Sequence, residues 1–213
     1  MPEFGVLLEG YRRFRADAYP QQKARYDKLS HEGQSPKLMV IACSDSRVDP
    51  AQIFDVDPGE IFVVRNVAAL VPPFETSPGL HGVSAALEFA VQFLEVRQIV
   101  VMGHGQCGGC DAALSRRMHG AAPGEGGFIA DWIGMLDDVR GPVAALHGTH
   151  GPQAQRAMEL AAVTVSLANL RTFPCVRSKE RGGTLKLRGA YFAIADGVLH
   201  VLDEARGAFA PVD

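Results

Sequence analysis

The fold is decided by one apolar run that ends in polar residues, Lys37-Leu38-Met39-Val40-Ile41-Ala42-Cys43-Ser44-Asp45-Ser46-Arg47. The apolar residues up to Ala42 are typical of a buried strand, because a parallel strand covered on both faces is hydrophobic along its whole length. The run stops at Cys43 and is followed by a carboxylate and a guanidinium. The stretch therefore predicts a strand that carries reactive side chains at its carboxyl end.

A second apolar run further along the chain ends in the same way. It consists of Gln98-Ile99-Val100-Val101-Met102 and leads directly into Gly103-His104-Gly105-Gln106-Cys107-Gly108-Gly109-Cys110. In open α/β sheets, ligands bind in the crevice outside the carboxyl ends of the strands. We therefore expect the two polar clusters to meet there and to form the active site.

The segments around these runs predict helices that flank a sheet. Residues 3–30 carry apolar side chains at helical spacing, with Pro20 as a candidate break. This N-terminal arm could pack on its own domain or on a second subunit. Residues 60–65 predict a second strand, and residues 80–94 predict a helix that crosses over to the third strand in the right-handed sense.

The C-terminal part of the sequence predicts a hairpin. We expect a fourth strand over residues 184–194, and Asp196-Gly197 is a strong two-residue turn signal before a further apolar run. The last strand should therefore be antiparallel and lie at an edge. The predicted fold is α/β, with a mixed, mostly parallel five-stranded sheet flanked by helices. One domain should span residues 1–213, with an arm (1–30) and a catalytic core (31–203).

Composition limits the classes of protein to which the chain can belong. The 213 residues are 47% hydrophobic and 21% charged, which is ordinary for a globular protein. A formal net charge of -3 leaves no basic excess for phosphates, so we expect no nucleic-acid partner. We find neither a signal peptide nor a run of about 18 apolar residues, and we expect no membrane association and a cytoplasmic location. The four cysteines fit metal binding better than a disulfide framework.

Three residues of the two clusters have the chemistry of a catalytic zinc site. Zinc binds thiolates and imidazoles, and catalytic sites usually hold three protein ligands and leave a fourth position open. Cys43, His104 and Cys107 are the predicted ligands, and the glycines around Cys107 are expected to provide the backbone angles of a tight loop. Cys110 could pair with Cys107 in a closed structural site, although its place in the first turn of a helix favours packing.

An acid and a guanidinium follow the first predicted ligand closely. Asp45 could be a helix cap after a strand, or it could accept a hydrogen bond from metal-bound water while Arg47 competes for its carboxylate. Two thiolates neutralise the ion and make it a mild Lewis acid, so we favour the second interpretation. Asp45 and Arg47 are the predicted catalytic residues, and Asp45 is also a candidate fourth ligand in a closed state. A hydroxide at the metal would attack a small electrophilic carbon.

Two motifs of the chain carry a resemblance to a known family. They are Cys43-Ser44-Asp45-Ser46-Arg47 and His104-x-x-Cys107-Gly108-Gly109, and they resemble the β-class carbonic anhydrases over roughly residues 30–203. The resemblance implies reversible hydration of carbon dioxide to bicarbonate and a proton by a zinc-bound hydroxide. It also implies a homodimer or a dimer of dimers, with N-terminal helices that embrace the neighbouring subunit.

Within this family the chain is similar to the plant-like branch. Gln34 and Phe62 fall where that branch lines its substrate pocket, and the resemblance adds Phe89 and Gly108 to the substrate-binding residues. Phe89 and Phe93 stand where plant-like members usually carry tyrosine and histidine, so the sequence does not define the route by which the proton leaves.

A further position bears on the resting state of the metal. Val40 stands where the branch regulated by bicarbonate has tryptophan. The resemblance to that branch is therefore weaker. We expect the zinc to carry water or hydroxide at neutral to alkaline pH, with Asp45 paired to Arg47.

Two other functions remain open from the sequence. The same hydroxide could hydrolyse a sulfur analogue such as carbonyl sulfide or carbon disulfide, and access to the pocket would decide. Alternatively, Cys110 could complete a closed site in a non-enzymatic structural or redox-sensing zinc module.

Overall fold

The computed structural model describes residues 3–212, and six strands in this part of the chain form one sheet. The strand order is β2-β1-β3-β4-β5-β6. The strands are β1 (Leu38–Cys43), β2 (Ile61–Asn66), β3 (Gln98–His104), β4 (Lys186–Ala193), β5 (Val198–Asp203) and β6 (Ala208–Pro211). Strands β1 to β4 are parallel, whereas β5 and β6 are antiparallel to their neighbours. The predicted α/β class with an antiparallel C-terminal hairpin is confirmed.

Helices cover the sheet and form the arm. They are α1 (Phe4–Arg13), α2 (Tyr19–Glu32), α3 (Pro50–Ile53), α4 (Gly82–Glu88), α5 (Gly108–Ser115), α6 (Gly127–Ile133), α7 (Asp137–His147), α8 (Pro152–Leu170) and α9 (Pro174–Arg181). Helix α9 was not predicted, because its charged sequence has no clear apolar stripe. No helix within residues 3–212 is long and apolar enough to cross a membrane.

The predicted number of five strands was wrong, because β6 adds a sixth. Ala208–Pro211 is short and ends in proline, so its sequence gives almost no strand signal. The Asp203 side chain accepts hydrogen bonds from the backbone N–H groups of Ala205 and Arg206 and turns the chain back onto β5. Pro211 is tolerated there because β6 lies at the edge of the sheet.

The N-terminal arm is helical and is not broken at Pro20. A π-helical turn, Phe14–Ala18, joins α1 to α2, and Pro20 falls in the first turn of α2. Helix α2 is attached to the body of the protein through Arg25, which forms a salt bridge of 2.7 Å with Asp57. Helix α1 has no buried residue, so the described residues 3–212 leave its apolar side chains largely exposed.

The centre of the sheet positions the candidate site. Residues Met39 to Cys43 of β1 are buried, and so are Met102 to His104 of β3. These two strands are adjacent and parallel, with Ala42 paired to Met102. Their carboxyl ends therefore lie side by side at one edge of the packed core.

Candidate metal centre

Three potential metal ligands converge at the carboxyl ends of β1 and β3. Cys43 is the last residue of β1, His104 is the last residue of β3, and Cys107 follows one turn later. One sulfur or nitrogen atom from each residue lies within 4.8 Å of the other two, and all three residues are buried. The structure thus brings together the three residues that the spacing of the motifs singled out.

The imidazole of His104 has the protonation expected of a metal ligand. Its Nδ1 lies 2.8 Å from the carbonyl oxygen of Gly105. A carbonyl oxygen can only accept, so Nδ1 carries a proton, and in the neutral imidazole Nε2 presents a lone pair. This Nε2 is buried and has no hydrogen-bond partner among residues 3–212. An orphaned buried acceptor beside two sulfur atoms fits a zinc ion, which would satisfy it.

The loop that carries Cys107 differs in one detail from the prediction. The positive φ of 57° falls on Gln106 and not on a glycine. The role of Gly109 is close packing: a Cβ atom there would lie 2.8 Å from Cγ1 of Val67. The glycine therefore lets the start of α5 approach the segment after β2, and this contact fixes Cys107 at the cluster.

The thiol groups of this centre interact with one another. Hydrogen bonds from Cys110 and Cys43 lower the pKa of Cys107, whereas the interaction with Cys107 raises the pKa of Cys43. Zinc binding requires thiolates, so loading the site would release protons. Cys110 is buried in α5 and does not belong to the three-residue group.

Asp45 and Arg47 form an ion pair beside the three ligands. The Nε and one terminal nitrogen of Arg47 lie 2.9 and 2.8 Å from the two carboxylate oxygens of Asp45. These hydrogen bonds hold the pKa of Asp45 at about 2. Arg47 also donates to the side-chain and backbone oxygens of Gln106. One Asp45 oxygen is 4.0 Å from Nε2 of His104, so the carboxylate flanks the centre while it stays paired with Arg47.

A second arginine holds the backbone of the same loop. From β2, Arg65 donates to the carbonyl oxygens of Cys43 and Asp45 at 2.9 and 2.6 Å and to the Asp49 carboxylate at 3.1 Å. Asp49 in turn caps α3 by accepting from the backbone N–H of Ala51 at 2.9 Å. Arg65 thereby fixes the segment that carries Asp45.

Glu159 and Tyr191 are buried residues that the sequence did not single out. They support Cys107 through a hydrogen bond to its backbone N–H. One carboxylate oxygen of Glu159 accepts from the backbone N–H of Cys107 at 2.9 Å, and the other accepts from the hydroxyl of Tyr191 at 3.0 Å. Burial raises the pKa of Glu159, and the two hydrogen bonds oppose this effect. A glutamate within the predicted apolar helix α8 was the available signal, because a carboxylate there needs a partner.

Of the predicted substrate-binding residues, only Gly108 adjoins a ligand; Phe62 pairs with Met39 near the amino end of β1, four residues before Cys43. Gly108 is the first residue of α5 and is exposed next to Cys107. The Phe62 ring lies 5.9 Å from the Phe89 ring, which stacks on Phe93 at 5.7 Å. Gln34 is exposed between α2 and β1, and within residues 3–212 its side chain makes no hydrogen bond that ties it to the centre.

The sheet, the Cys-His-Cys cluster and the adjacent ion pair together define an α/β zinc enzyme. Comparison with known proteins specifies the class. A family model described as carbonic anhydrase matches residues 38–199. A carbonic anhydrase of Pseudomonas aeruginosa is 38% identical over 205 residues, which are 95% of this chain and 89% of that protein.

Comparison with solved structures indicates the same class of protein. The β-carbonic anhydrase CcaA matches with a TM-score of 0.89 and 30% identity, over 99% of this chain and 92% of that chain. A tetrameric β-carbonic anhydrase of Sordaria macrospora matches with a TM-score of 0.80 and 27% identity, over 99% and 98%.

The chain belongs to the carbonic anhydrase family, in its β class. It is a zinc-dependent carbonate dehydratase that interconverts carbon dioxide and bicarbonate. Neither hydrolysis of a sulfur analogue nor a structural zinc module is needed to account for the site.

Proposed function

We propose that Cys43, His104 and Cys107 hold the zinc and that Asp45 and Arg47 are the catalytic residues for hydration of carbon dioxide. The observation that carries this proposal is the meeting of the three ligand atoms within 4.8 Å of one another beside the Asp45–Arg47 pair. Bound zinc would supply a Lewis acid that lowers the pKa of a water molecule.

The ion pair has a defined task in this reaction. Arg47 engages both oxygens of Asp45, so the carboxylate stays ionised, and one of these oxygens lies 4.0 Å from Nε2 of His104. Asp45 accepts a hydrogen bond from the attacking water and orients its lone pair toward the carbon. Arg47 prevents Asp45 from becoming a fourth ligand, which is the closed state.

The substrate pocket is proposed to contain Gln34, Phe62, Phe89 and Gly108. The rings of Phe62 and Phe89 form an apolar row, and because Phe62 pairs with Met39 at the far end of β1 from Cys43, this row would contact carbon dioxide at the centre of a neighbouring subunit. The backbone N–H of Gly108, at the start of α5, is available to an oxygen of bicarbonate. Membership of the plant-like branch belongs to the same proposal.

The assembly is proposed to be a homodimer or a dimer of dimers in the cytoplasm. The exposed apolar face of α1 supports an interface, and the Sordaria macrospora structure is described as tetrameric. We also propose that residues 1–213 form one domain, with residues 1–30 as the arm and residues 31–203 as the core.

A stopped-flow assay of carbon dioxide hydration, combined with zinc analysis, tests the site. Purified protein should bind one zinc per chain and be active. Cys43→Ala, His104→Ala and Cys107→Ala should each lose zinc and activity together, whereas Cys110→Ala should keep both. Stoichiometric zinc in Cys107→Ala would overturn the assignment of the ligands.

A further inference from the structure

Cys107 and Cys110 form a pair of thiols of which the hydration reaction requires only Cys107. They belong to the sequence Cys107-Gly108-Gly109-Cys110, in which Cys107 is the N-cap of α5 and Cys110 lies in its first turn. Both residues pack in the same buried cluster. Both residues are about 2% exposed, so the pair is buried.

The Cα separation of Cys107 and Cys110 is compatible with a disulfide. The distance between the Cα atoms of residues i and i+3 depends only on the two residues between them. Gly108 and Gly109 are helical, so helix geometry gives a separation of ~5 Å. Disulfides span Cα distances of roughly 4.4 to 6.8 Å. The Cα separation therefore allows the bond to close by side-chain rotation.

We propose that Cys107 and Cys110 are a peroxide-sensitive dithiol, and that its oxidation to a disulfide removes the zinc. The proposal rests on Cys107 being a zinc ligand, as proposed above. The step is balanced: two thiols and one hydrogen peroxide give one disulfide and two water molecules. The first sulfur attacks a peroxide oxygen to form a sulfenic acid, and the second displaces water from it.

The position of each sulfur explains its part in this chemistry. Cys107 faces a centre that must admit carbon dioxide and water, and hydrogen peroxide is of similar size. Cys110 lies in the first turn of α5, outside the three-residue cluster, and is thus available to resolve a sulfenic acid without being a ligand. A sulfur in a disulfide is no longer a thiolate ligand, so bond formation and zinc loss are linked.

Cys43 is the competing partner for Cys107, because their sulfur atoms are close as well. Tryptic mapping separates the two pairings. Cys107 and Cys110 both lie in the fragment 98–116, whereas Cys43 lies in the fragment 38–47. A Cys107–Cys110 bond makes fragment 98–116 lighter by two hydrogen atoms, but a Cys43–Cys107 bond joins the two fragments.

The experiment treats zinc-loaded and metal-free full-length protein with hydrogen peroxide, then maps thiols and measures released zinc. We expect the lighter fragment 98–116 in both samples, release of one zinc per chain from the loaded sample, and recovery of free thiols and zinc uptake after dithiothreitol. The lighter fragment should be absent from Cys110→Ala and, as an isosteric check, from Cys110→Ser. Cys175→Ala, the matched control, should behave like wild type.

Two results would overturn the proposal. One is a joined 38–47/98–116 product in place of the lighter fragment. The other is a wild-type fragment 98–116 that, after treatment with hydrogen peroxide, keeps both thiols or is oxidised only to sulfinic acid. In either case normal zinc content and hydration activity would leave the proposed function standing, whereas a wild-type protein without zinc would contradict that function independently of the mapping.

Discussion

At the scale of single residues, the Asp45–Arg47 pair has an orientation that favours catalysis over metal ligation. Arg47 contacts both carboxylate oxygens and is itself anchored to Gln106, whose backbone belongs to the loop between two ligands. Arg47 therefore ties the carboxylate of Asp45 to the segment between the ligands His104 and Cys107. Movement of Asp45 onto the metal would require this two-point contact to break.

Asp45→Asn should abolish most activity and leave the metal in place. The amide keeps the size of the side chain but replaces one acceptor oxygen with a donor, so it cannot accept from the attacking water and bind Arg47 at both points. We expect carbon dioxide hydration to fall ~10²- to 10⁴-fold in stopped-flow measurements, with normal zinc content. Asp138→Asn, at an exposed site in α7, is the control, and a rate near wild type in Asp45→Asn would disprove the role.

Glu159→Gln should weaken the zinc site without touching a ligand. An amide presents only one acceptor oxygen, whereas Glu159 accepts from both Cys107 and Tyr191. Loss of such supporting hydrogen bonds typically costs 10- to 100-fold in metal affinity, which competition with a zinc chelator would measure. Tyr191→Phe removes only one of the two bonds and should have a smaller effect. Equal zinc affinity in Glu159→Gln and wild type would contradict this prediction.

The sequence could predict the ligands but not their support, for a physical reason. The predicted ligands are reactive residue types at the ends of apolar strands. Local spacing was therefore enough to identify Cys43, His104 and Cys107. Glu159 lies in α8, more than fifty residues beyond Cys107, and its contact exists only because α8 packs across the sheet. Contacts that depend on tertiary packing leave no periodic signal in the chain.

At the scale of secondary structure, the loop between β1 and α3 depends on β2. Arg65→Met should disorder this loop, because it removes the hydrogen bonds to the carbonyl oxygens of Cys43 and Asp45. Unsatisfied buried groups cost about 1 to 3 kcal/mol, and urea unfolding should show a loss of this size. Arg177→Met, at an exposed site in α9, is the control. Unchanged stability together with unchanged activity would show that Arg65 does not hold the loop.

The errors at this scale have a common cause. The central strands are continuous apolar runs that can be recognised in the sequence. Strand β6, in contrast, forms because Asp203 holds the preceding turn and because the strand pairs with β5. Helix α9 is likewise polar over most of its length and buries mainly Val176. Elements that are stabilised by neighbours and not by their own hydrophobic pattern are the ones that sequence reasoning misses.

At the scale of the whole molecule, helix α1 has an exposed apolar face that packing within a single chain does not account for. Phe4, Leu7 and Tyr11 are 72%, 60% and 59% exposed along one helix face. Single apolar residues are common on surfaces, but a contiguous row indicates an interface. An arm packed on a second subunit would bury this row.

Leu7→Glu should therefore shift the oligomer toward smaller species in sedimentation velocity experiments, because it places a charge within the buried face. Arg13→Gln changes the charge by the same amount on the opposite face of α1 and should leave the distribution unchanged. An oligomer of wild-type size in Leu7→Glu at low protein concentration would refute the role of the arm.

The meeting of β1 and β3 at the metal centre also links zinc supply to the lifetime of the protein. Cys43 and His104 are distant in the chain, so an unfolded polypeptide must close a long loop before it can offer the same cluster of ligands. Zinc should thus bind the native state far more tightly than the unfolded state, and mass action then raises the stability of the native state with free zinc concentration. A chain made under zinc starvation would be inactive and would also unfold more often, with faster removal by proteases. Its abundance would then report on metal availability.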